Sequence, residues 1–250
     1  MGAMNKTIPL LIILLHLSAC AAPKADPGDG RQHPLATPDI GVDDWARVQA
    51  YFSDPLGNTR PAAFESELVQ AIHEAKNSVD VAVYSFTLMP VARAMVSAAE
   101  RGVTVRLVTD NGATRSDALA RIEGSGVQWR TDTGNALMHH KFVVIDGSQV
   151  WTGSMNLSTG GAYFDHNNLV RIQDARAAQN FQVEFNEMFV SGYYGRNSRP
   201  LDTPYPQIEL DGNLWEFYFS PDDGVLERVE RLIRGADKSV HVLAYTFTLD

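Results

Sequence analysis

The sequence predicts an α/β domain in which helices cover a largely buried sheet, followed by the start of a second copy of that domain. Apolar runs of strand length alternate with stretches of helical periodicity from residue 64 to residue 189, the pattern of a layered α/β domain. The strand-length runs are mostly apolar, as expected for a sheet covered on both faces. A segment near the C-terminus also repeats a segment near the beginning of the domain.

The individual elements follow from periodicity and from turn signals. Helices are predicted where apolar residues recur every three or four positions, at residues 64–75, 90–99, 116–123 and 175–189. Strands are predicted where apolar residues alternate or run together up to turn residues such as Asp110-Asn111-Gly112. They cover residues 78–86, 103–109, 127–130, 142–145, 150–151 and 169–172.

The composition indicates a globular protein with a sizeable core, because 44% of the 250 residues are hydrophobic and 20% are charged. The formal net charge of −9 argues against binding long nucleic acid mainly by phosphate neutralisation, which needs clustered Lys and Arg. A basic cleft on an acidic body remains compatible with that charge.

The N-terminus predicts export. Residues 1–20 combine a positive Lys6 with an apolar stretch at residues 8–17 that is too short to span a bilayer. Residues 17–20 resemble the lipobox of bacterial lipoproteins, in which Cys20, the only cysteine, becomes lipidated. We therefore expect a membrane-anchored lipoprotein facing the periplasm or the cell exterior, with a flexible tether at residues 21–42. The alternative is a plain secretory signal, because Ala19-Cys20-Ala21 also fits a small-residue cleavage site.

An internal repeat defines the domain organisation. Residues 236–249 align without gaps on residues 75–88, with eight identities in fourteen positions and an offset of 161 residues. Tyr218-Phe219-Ser220 likewise echoes Tyr51-Phe52-Ser53. The sequence thus predicts a first domain at residues 43–206 and a truncated second copy at residues 207–250. We interpret the chain as a fragment or truncated form of a longer protein with two copies.

One stretch of the first domain collects groups that can bind and attack a phosphate. Phosphodiester cleavage needs a nucleophile, donors for the non-bridging oxygens and a proton for the leaving alkoxide. His139 and Lys141 are two residues apart, so both side chains would leave the same face of an extended segment. Taken singly, these residues also fit surface positions or turns, and Asp146-Gly147-Ser148 reads as a hairpin turn. The residues at fixed spacing are His139, His140, Lys141, Asp146, Gly153, Ser154 and Asn156.

The pattern His-x-Lys-x4-Asp-x6-Gly-Ser-x-Asn resembles the HKD motif of the phospholipase D superfamily. The resemblance implies a layered α-β-α domain with a mixed sheet and a phosphodiesterase that needs no metal or other cofactor. It implies that His139 is the catalytic imidazole, that Lys141 and Asn156 are phosphate ligands, and that Gly153-Ser154 supports the turn presenting Asn156. Asp146 is expected to play a supporting role.

The resemblance also implies that two motifs form one active site. One histidine makes a phosphohistidine intermediate and the other protonates the leaving group, so a second motif is expected from the rest of a tandem protein or from a dimer partner. His140 fills a free position of the motif and is assigned no chemistry. Asn167 stands where many family members have Glu before Asn-Leu. We therefore expect the 250-residue chain alone to be inactive.

Three functions are compatible with the sequence. The leading prediction is hydrolysis, or transfer, of phospholipid headgroup phosphodiesters beside the membrane. The second is an endonuclease, because residues 138–142 and 152–156 also resemble small bacterial endonucleases of the superfamily. The third is an inactive lipoprotein that holds a phosphate group with Lys141 and Asn156. A His/Asp metal hydrolase is less favoured, because no second cluster has ligand spacing. Residues 191–206, rich in Tyr and Arg, are interpreted as an interdomain loop, with contacts to headgroups or bases as the alternative.

Overall fold

A computed structural model describes residues 47–55, 61–134, 136–199, 202–242 and 244. The predicted signal peptide, Cys20, the whole tether, and residues 243 and 245–249 of the repeated segment lie outside these residues. Within the described part of the chain, no helix is long and apolar enough to cross a membrane.

A seven-stranded mixed sheet forms the centre of the domain. Its spatial order is β1-β7-β6-β5-β2-β3-β4. β2, β3 and β4 run parallel to one another, and every other neighbouring pair is antiparallel. The strands are β1 Val48–Phe52, β2 Ser78–Val83, β3 Thr104–Thr109, β4 Gln128–Thr131, β5 Lys141–Ile145, β6 Gln149–Gly153 and β7 Asn168–Gln173.

Helices cover both faces of this sheet. On one face α1, α2 and α3 enclose a core that includes Phe64, Met95 and Trp151. On the other face α5 packs on the sheet through Phe181 and Phe185. This arrangement confirms the predicted α-β-α layering. The helices are α1 Ala63–Glu74, α2 Met89–Glu100, α3 Asp117–Ile122, α4 Thr159–Tyr163, α5 Ala175–Asn186 and α6 Val225–Arg234.

From β1 to the end of α5, the predicted helices and strands differ from the observed ones at four places. The strand predicted at residues 78–86 ends at Val83, because the chain then turns toward the motif. The helix predicted at residues 175–189 changes at Asn186 into a π-helical turn, Glu187–Ser191. β1 and the short α4 were not predicted. β1 is a five-residue edge strand, and α4 contains Gly160 and Gly161, which disfavour helix by propensity.

The chain after Pro206 packs on the first domain. β8 Gln207–Leu210 and β9 Asn213–Glu216 form a hairpin whose buried residues join the core beneath α5. Phe217 and Phe219 both lie edge-to-face against Phe181, with ring centroids 6.1 and 5.1 Å away. The beginning of the predicted second copy is thus part of the first domain's core, and the boundary at residue 206 stays a prediction.

Candidate active site

His139 and Lys141 lie at the start of β5, where the chain enters the sheet. Lys141 pairs with Val83 at the end of β2, and the backbone N–H of Tyr84 donates to the carbonyl of His140 at 2.9 Å. The Tyr84 ring lies 5.0 Å from the half-buried His139 ring, and the Lys141 Nζ lies 5.6 Å from the centre of the same ring. Tyr84 therefore contacts both predicted catalytic residues.

The Lys141 ammonium is buried, and it is held by a hydrogen bond to a backbone carbonyl. Lys141 is 8% exposed, and its Nζ donates to the carbonyl oxygen of His139 at 2.9 Å. Burial lowers the pKa of Lys141 from 10.5 to about 8, because removal from water disfavours the charged form. The side chain is still mainly an ammonium at neutral pH, and an ammonium has three N–H donors. A weakly hydrated cation of this kind suits the binding of a phosphate oxygen.

Asn156 is oriented by the loop that follows β2. The backbone N–H of Ser85 donates to Asn156 Oδ1 at 3.2 Å, so the NH2 group is left to donate elsewhere. The chain around Asn156 is fixed by backbone bonds from Thr87 and Leu88 to the carbonyl of Leu157, both at 2.9 Å. Tyr84 and Ser85, consecutive in the chain, thus connect the two halves of the motif.

Gly153 and Ser154 connect β6 to Asn156. A Cβ on Gly153 would lie 2.4 Å from the carbonyl oxygen of Asn168 on β7, so only glycine allows this approach. Ser154 Oγ accepts from the backbone N–H of Asn168 at 3.0 Å and donates to Asn167 Oδ1 at 2.9 Å. Asn167 in turn donates from Nδ2 to the carbonyl of Gly161 at 3.1 Å. Asn167, at the position where a carboxylate was expected, therefore supports the turn.

Asp146 lies at the other end of β5, about 15 Å from the start of the strand at 3.3 Å per residue. Its carboxylate accepts three backbone N–H groups, from Lys76, Asn77 and Ser78, at 2.7 to 2.9 Å. Burial opposes ionisation here, but these hydrogen bonds together lower the pKa of Asp146 below its ordinary value. With φ of 50° and Gly147 following, Asp146 also forms the hairpin turn between β5 and β6. Asp146 therefore holds the α1–β2 connection against the β5–β6 turn, and its role in the motif stays a prediction.

His140 points away from His139, as alternation along an extended segment requires. Its Nε2 lies 2.9 Å from Glu184 Oε1 on α5, and its ring packs against Phe142 and Phe219. The side chain is 8% exposed and belongs to the α5 side of the sheet. His140 thus contacts α5 and the aromatic core on that side of the sheet.

Three residues near the site were not identified from the sequence: Tyr84, Ser85 and Gly161. A Cβ on Gly161 would lie 2.6 Å from the carbonyl oxygen of Asn156, so this glycine allows α4 to begin against the site. The repeat contained a signal for Tyr84, since Tyr245 occupies the equivalent position 161 residues later. Gly161 had no such signal, because the given sequence ends before the equivalent position.

Comparisons with known proteins identify a family model and relatives that are similar to this chain. Residues 68–189 match the family model described as cardiolipin synthase, PLD-like domain. The chain is 33% identical over 139 residues to mitochondrial cardiolipin hydrolase of Xenopus tropicalis, covering 55% of this chain and 65% of that protein. The human protein of the same name is 29% identical over 137 residues, with 54% of each chain covered. The chain thus spans about half to two thirds of the length of these relatives.

Solved structures of related proteins share this fold. The phospholipase D family member Nuc from Salmonella typhimurium is 29% identical with a TM-score of 0.50, covering 56% of this chain and 91% of that chain. NucT from Helicobacter pylori shares the fold at 22% identity and a TM-score of 0.50, covering 58% and 97%. The site thus sits on an α/β scaffold of the kind found in phosphodiester-cleaving hydrolases. The chain belongs to the phospholipase D superfamily.

Proposed function

We propose that the protein is a metal-independent phosphodiesterase that hydrolyses phospholipid headgroup phosphodiesters. The observation that carries the proposal is the convergence of the Lys141 ammonium, the His139 imidazole and the Asn156 amide on the Tyr84-Ser85 loop. These supply a nucleophile and two kinds of donor for a phosphate. The named activity of the cardiolipin hydrolase relatives supports a phospholipid as substrate.

In the proposed reaction, a neutral His139 nitrogen attacks phosphorus and forms a P–N bond as the bond from phosphorus to the headgroup oxygen breaks. The departing oxygen takes a proton from a second histidine, which then removes a proton from water. That water attacks phosphorus, breaks the P–N bond and releases the phosphatidyl product with His139 restored. If an alcohol replaces water, the same steps give transphosphatidylation. Lys141 and Asn156 donate to the non-bridging oxygens throughout.

The second histidine belongs to another motif in this proposal. A single imidazole bonded to phosphorus cannot also protonate the oxygen leaving on the opposite side. We therefore propose that a second copy of the motif completes the site, from the continuation of the repeat at residues 207–250 or from a dimer partner. The 250-residue chain acting as a monomer is expected to be inactive. Lipidation of Cys20 would hold the complete enzyme beside a membrane substrate.

Headgroup release from vesicles tests the proposal. The protein carrying both motifs would be incubated with phosphatidylcholine, phosphatidylethanolamine, phosphatidylglycerol or cardiolipin vesicles in the presence of EDTA. We expect release of the headgroup from at least one lipid, and its loss in His139→Ala. The proposal fails if every lipid stays intact, or if EDTA abolishes the activity while circular dichroism shows that the protein stays folded.

A nuclease is the second candidate, favoured by the likeness to small bacterial endonucleases at residues 138–142 and 152–156. Cleavage of DNA with a steep dependence on salt, together with intact phospholipids, would establish it in place of the lipid activity. Binding of phosphate with no cleavage of either substrate would instead indicate the inactive phosphate-binding lipoprotein. Retention of that binding in His139→Ala would complete the distinction.

A further inference from the structure

A group of carboxylates lies beyond the end of α5, on the side of the sheet that carries the β8–β9 hairpin. Glu187, Asp202 and Asp222 each offer an oxygen atom, and these atoms all lie within 4.8 Å of one another. Glu187 comes from the π-helical turn, Asp202 from the loop before β8, and Asp222 from the turn before α6. Three separate segments of the chain therefore bring negative charge to one point.

The most buried of the three carboxylates is incompletely bonded. Glu187 is 6% exposed, and its Oε1 accepts from the backbone N–H of Arg199 at 2.5 Å. Its Oε2 is fully buried without a hydrogen-bond donor, and so is Oδ1 of Asp222. A buried carboxylate oxygen without a donor is costly and uncommon in folded proteins. Two buried carboxylate oxygens of the group therefore lack a hydrogen-bond donor.

Among the described side chains, the Arg199 charge acts on one of the three carboxylates, that of Asp202. Among the side chains that the structure describes, which do not include that of Arg196, no Lys, Arg or His forms an ion pair with the three carboxylates. The Arg199 guanidinium lies over the Tyr193 ring, 5.5 Å from its centre. Of the neighbouring acids, Glu184 is paired with His140, and Asp223 accepts from Thr203 Oγ1 and from the backbone of Phe219.

The electrostatic environment also disfavours the ionised form of these carboxylates when no cation is bound. Burial, and repulsion by Glu184 and the other acids of the group, raise the pKa of Glu187 to about 7. Burial and repulsion by the same Glu184 raise the pKa of Asp222 to about 7.

We propose that Glu187, Asp202 and Asp222 bind one hard divalent cation, with Ca²⁺ preferred, as a structural site separate from His139 and Lys141. Ca²⁺ bonds oxygen at about 2.3–2.6 Å, so two oxygens on one ion can be separated by up to about 5 Å. The shorter bonds of Mg²⁺, about 2.0–2.1 Å, limit that separation to about 4 Å and require a tighter octahedral site. The oxygens of the group lie within 4.8 Å of one another, inside the span of about 5 Å that Ca²⁺ allows.

The bound cation ties the start of the second copy to the first domain. Asp222 follows Phe219, which packs on α5, and Glu187 follows the end of α5. An ion shared by Glu187 and Asp222 therefore fixes residues 202–223 against the layer that also holds His140. The predicted effect is on stability, independent of whether the substrate is a lipid or a nucleic acid.

Thermal unfolding of the full chain at pH 8 tests the site, because most of these carboxylates are then ionised. Circular dichroism would be followed in EDTA, in millimolar CaCl2 and in millimolar MgCl2 at equal ionic strength. The wild type is expected to gain on the order of 5 °C in Tm with CaCl2 and less with MgCl2. Glu187→Gln and Asp222→Asn are expected to lose most of that gain. Glu123→Gln, an exposed glutamate beyond α3, should keep it.

Three results would overturn the proposal. These are a wild-type Tm unchanged by either cation, an equal gain in Glu187→Gln, or an equal loss of the gain in Glu123→Gln. If Glu187→Gln does not fold, Asp202→Asn replaces it under the same criteria. Equilibrium dialysis with ⁴⁵Ca²⁺ adds the stoichiometry, with one ion expected per wild-type chain and none retained at the same concentration by Asp222→Asn.

Discussion

The two ends of strand β5 carry residues of the same motif but use them for different purposes. At the start, Lys141 and the preceding His139 contact the Tyr84 ring, and the Lys141 ammonium is buried. At the end, the Asp146 carboxylate accepts hydrogen bonds from three backbone N–H groups of the α1–β2 connection. The difference teaches that one sequence motif contains both residues that can contact a substrate and residues that stabilise the fold. The structure is needed to tell the two kinds apart.

This comparison predicts that substitutions at the two ends of β5 have different effects on activity and stability. Changes at His139, Lys141 or Asn156 should reduce turnover while the protein stays folded. Changes at Asp146 should reduce the free energy of unfolding, while the folded fraction keeps its turnover. Activity and unfolding measured on the same preparations would separate the two classes.

The largest effect is expected for His139→Ala. Loss of the nucleophile should lower kcat by about 10⁴-fold or more, as for other enzymes that lose the group forming the covalent intermediate. The half-buried ring leaves little cavity, so the free energy of unfolding should change by less than about 1 kcal/mol. His140→Ala is the matched control at the neighbouring position. His140→Ala should lower the free energy of unfolding, because Glu184 loses its partner. It should leave the kcat of the folded enzyme unchanged.

Lys141→Met is expected to lower kcat/KM by about 10²- to 10³-fold, because a preorganised donor for the phosphate is lost. The pKa of about 8 predicts a further signature. Activity that depends on the ammonium should fall as pH rises through about 8, well below the ordinary lysine range. Lys141→Arg should keep its charge and shift that alkaline limb upward. A wild-type profile that is flat to pH 10 would contradict the assignment of Lys141.

Gly153→Ala is expected to cost about 3 kcal/mol of stability, because the added Cβ would meet the Asn168 carbonyl at 2.4 Å. Gly147→Ala is the control. It has positive φ but no atom within 4 Å of the new Cβ, so only about 1 kcal/mol should be lost. Urea unfolding of both variants measures the difference. Equal losses would show that close packing at Gly153 is not the constraint.

Asp146→Ala is expected to lose about 2 kcal/mol, because three backbone donors lose a charged acceptor. Asp211→Ala is a close control, since Asp211 has the same φ of 50° before a glycine in the β8–β9 turn. It should cost only a few tenths of a kcal/mol. The folded pKa of Asp146 is lowered, so its contribution is present above about pH 4 and is lost as pH falls through the folded value. The difference between wild type and Asp146→Asn should therefore shrink below pH 4.

The sequence predicted most of the fold because its strands and helices are long and regularly patterned. It did not predict β1, an edge strand with a weak pattern, or α4, whose glycines oppose helix by propensity. It also could not predict that the β8–β9 hairpin packs under α5, since Phe217 and Phe219 find Phe181 only through tertiary packing.

The site was predicted as a set of residues but not as an arrangement. His139, Lys141 and Asn156 were identified from their spacing, and the structure joins them through Tyr84 and Ser85. Those contacts arise from strand pairing between β2 and β5, which spacing within the motif does not encode. Asn167 was interpreted only as a missing carboxylate. The structure shows it bonding Ser154 and Gly161.

The central claim is that His139 is the nucleophile, and trapping its covalent intermediate tests this most directly. The protein carrying both motifs would be mixed with phospholipid vesicles, quenched at alkaline pH where phosphohistidine survives, digested and analysed by mass spectrometry. A phosphatidyl or phosphoryl adduct on His139 itself, absent in His139→Ala and present in Asp146→Asn, is the predicted result. An active enzyme whose adduct lies on another residue would contradict the account.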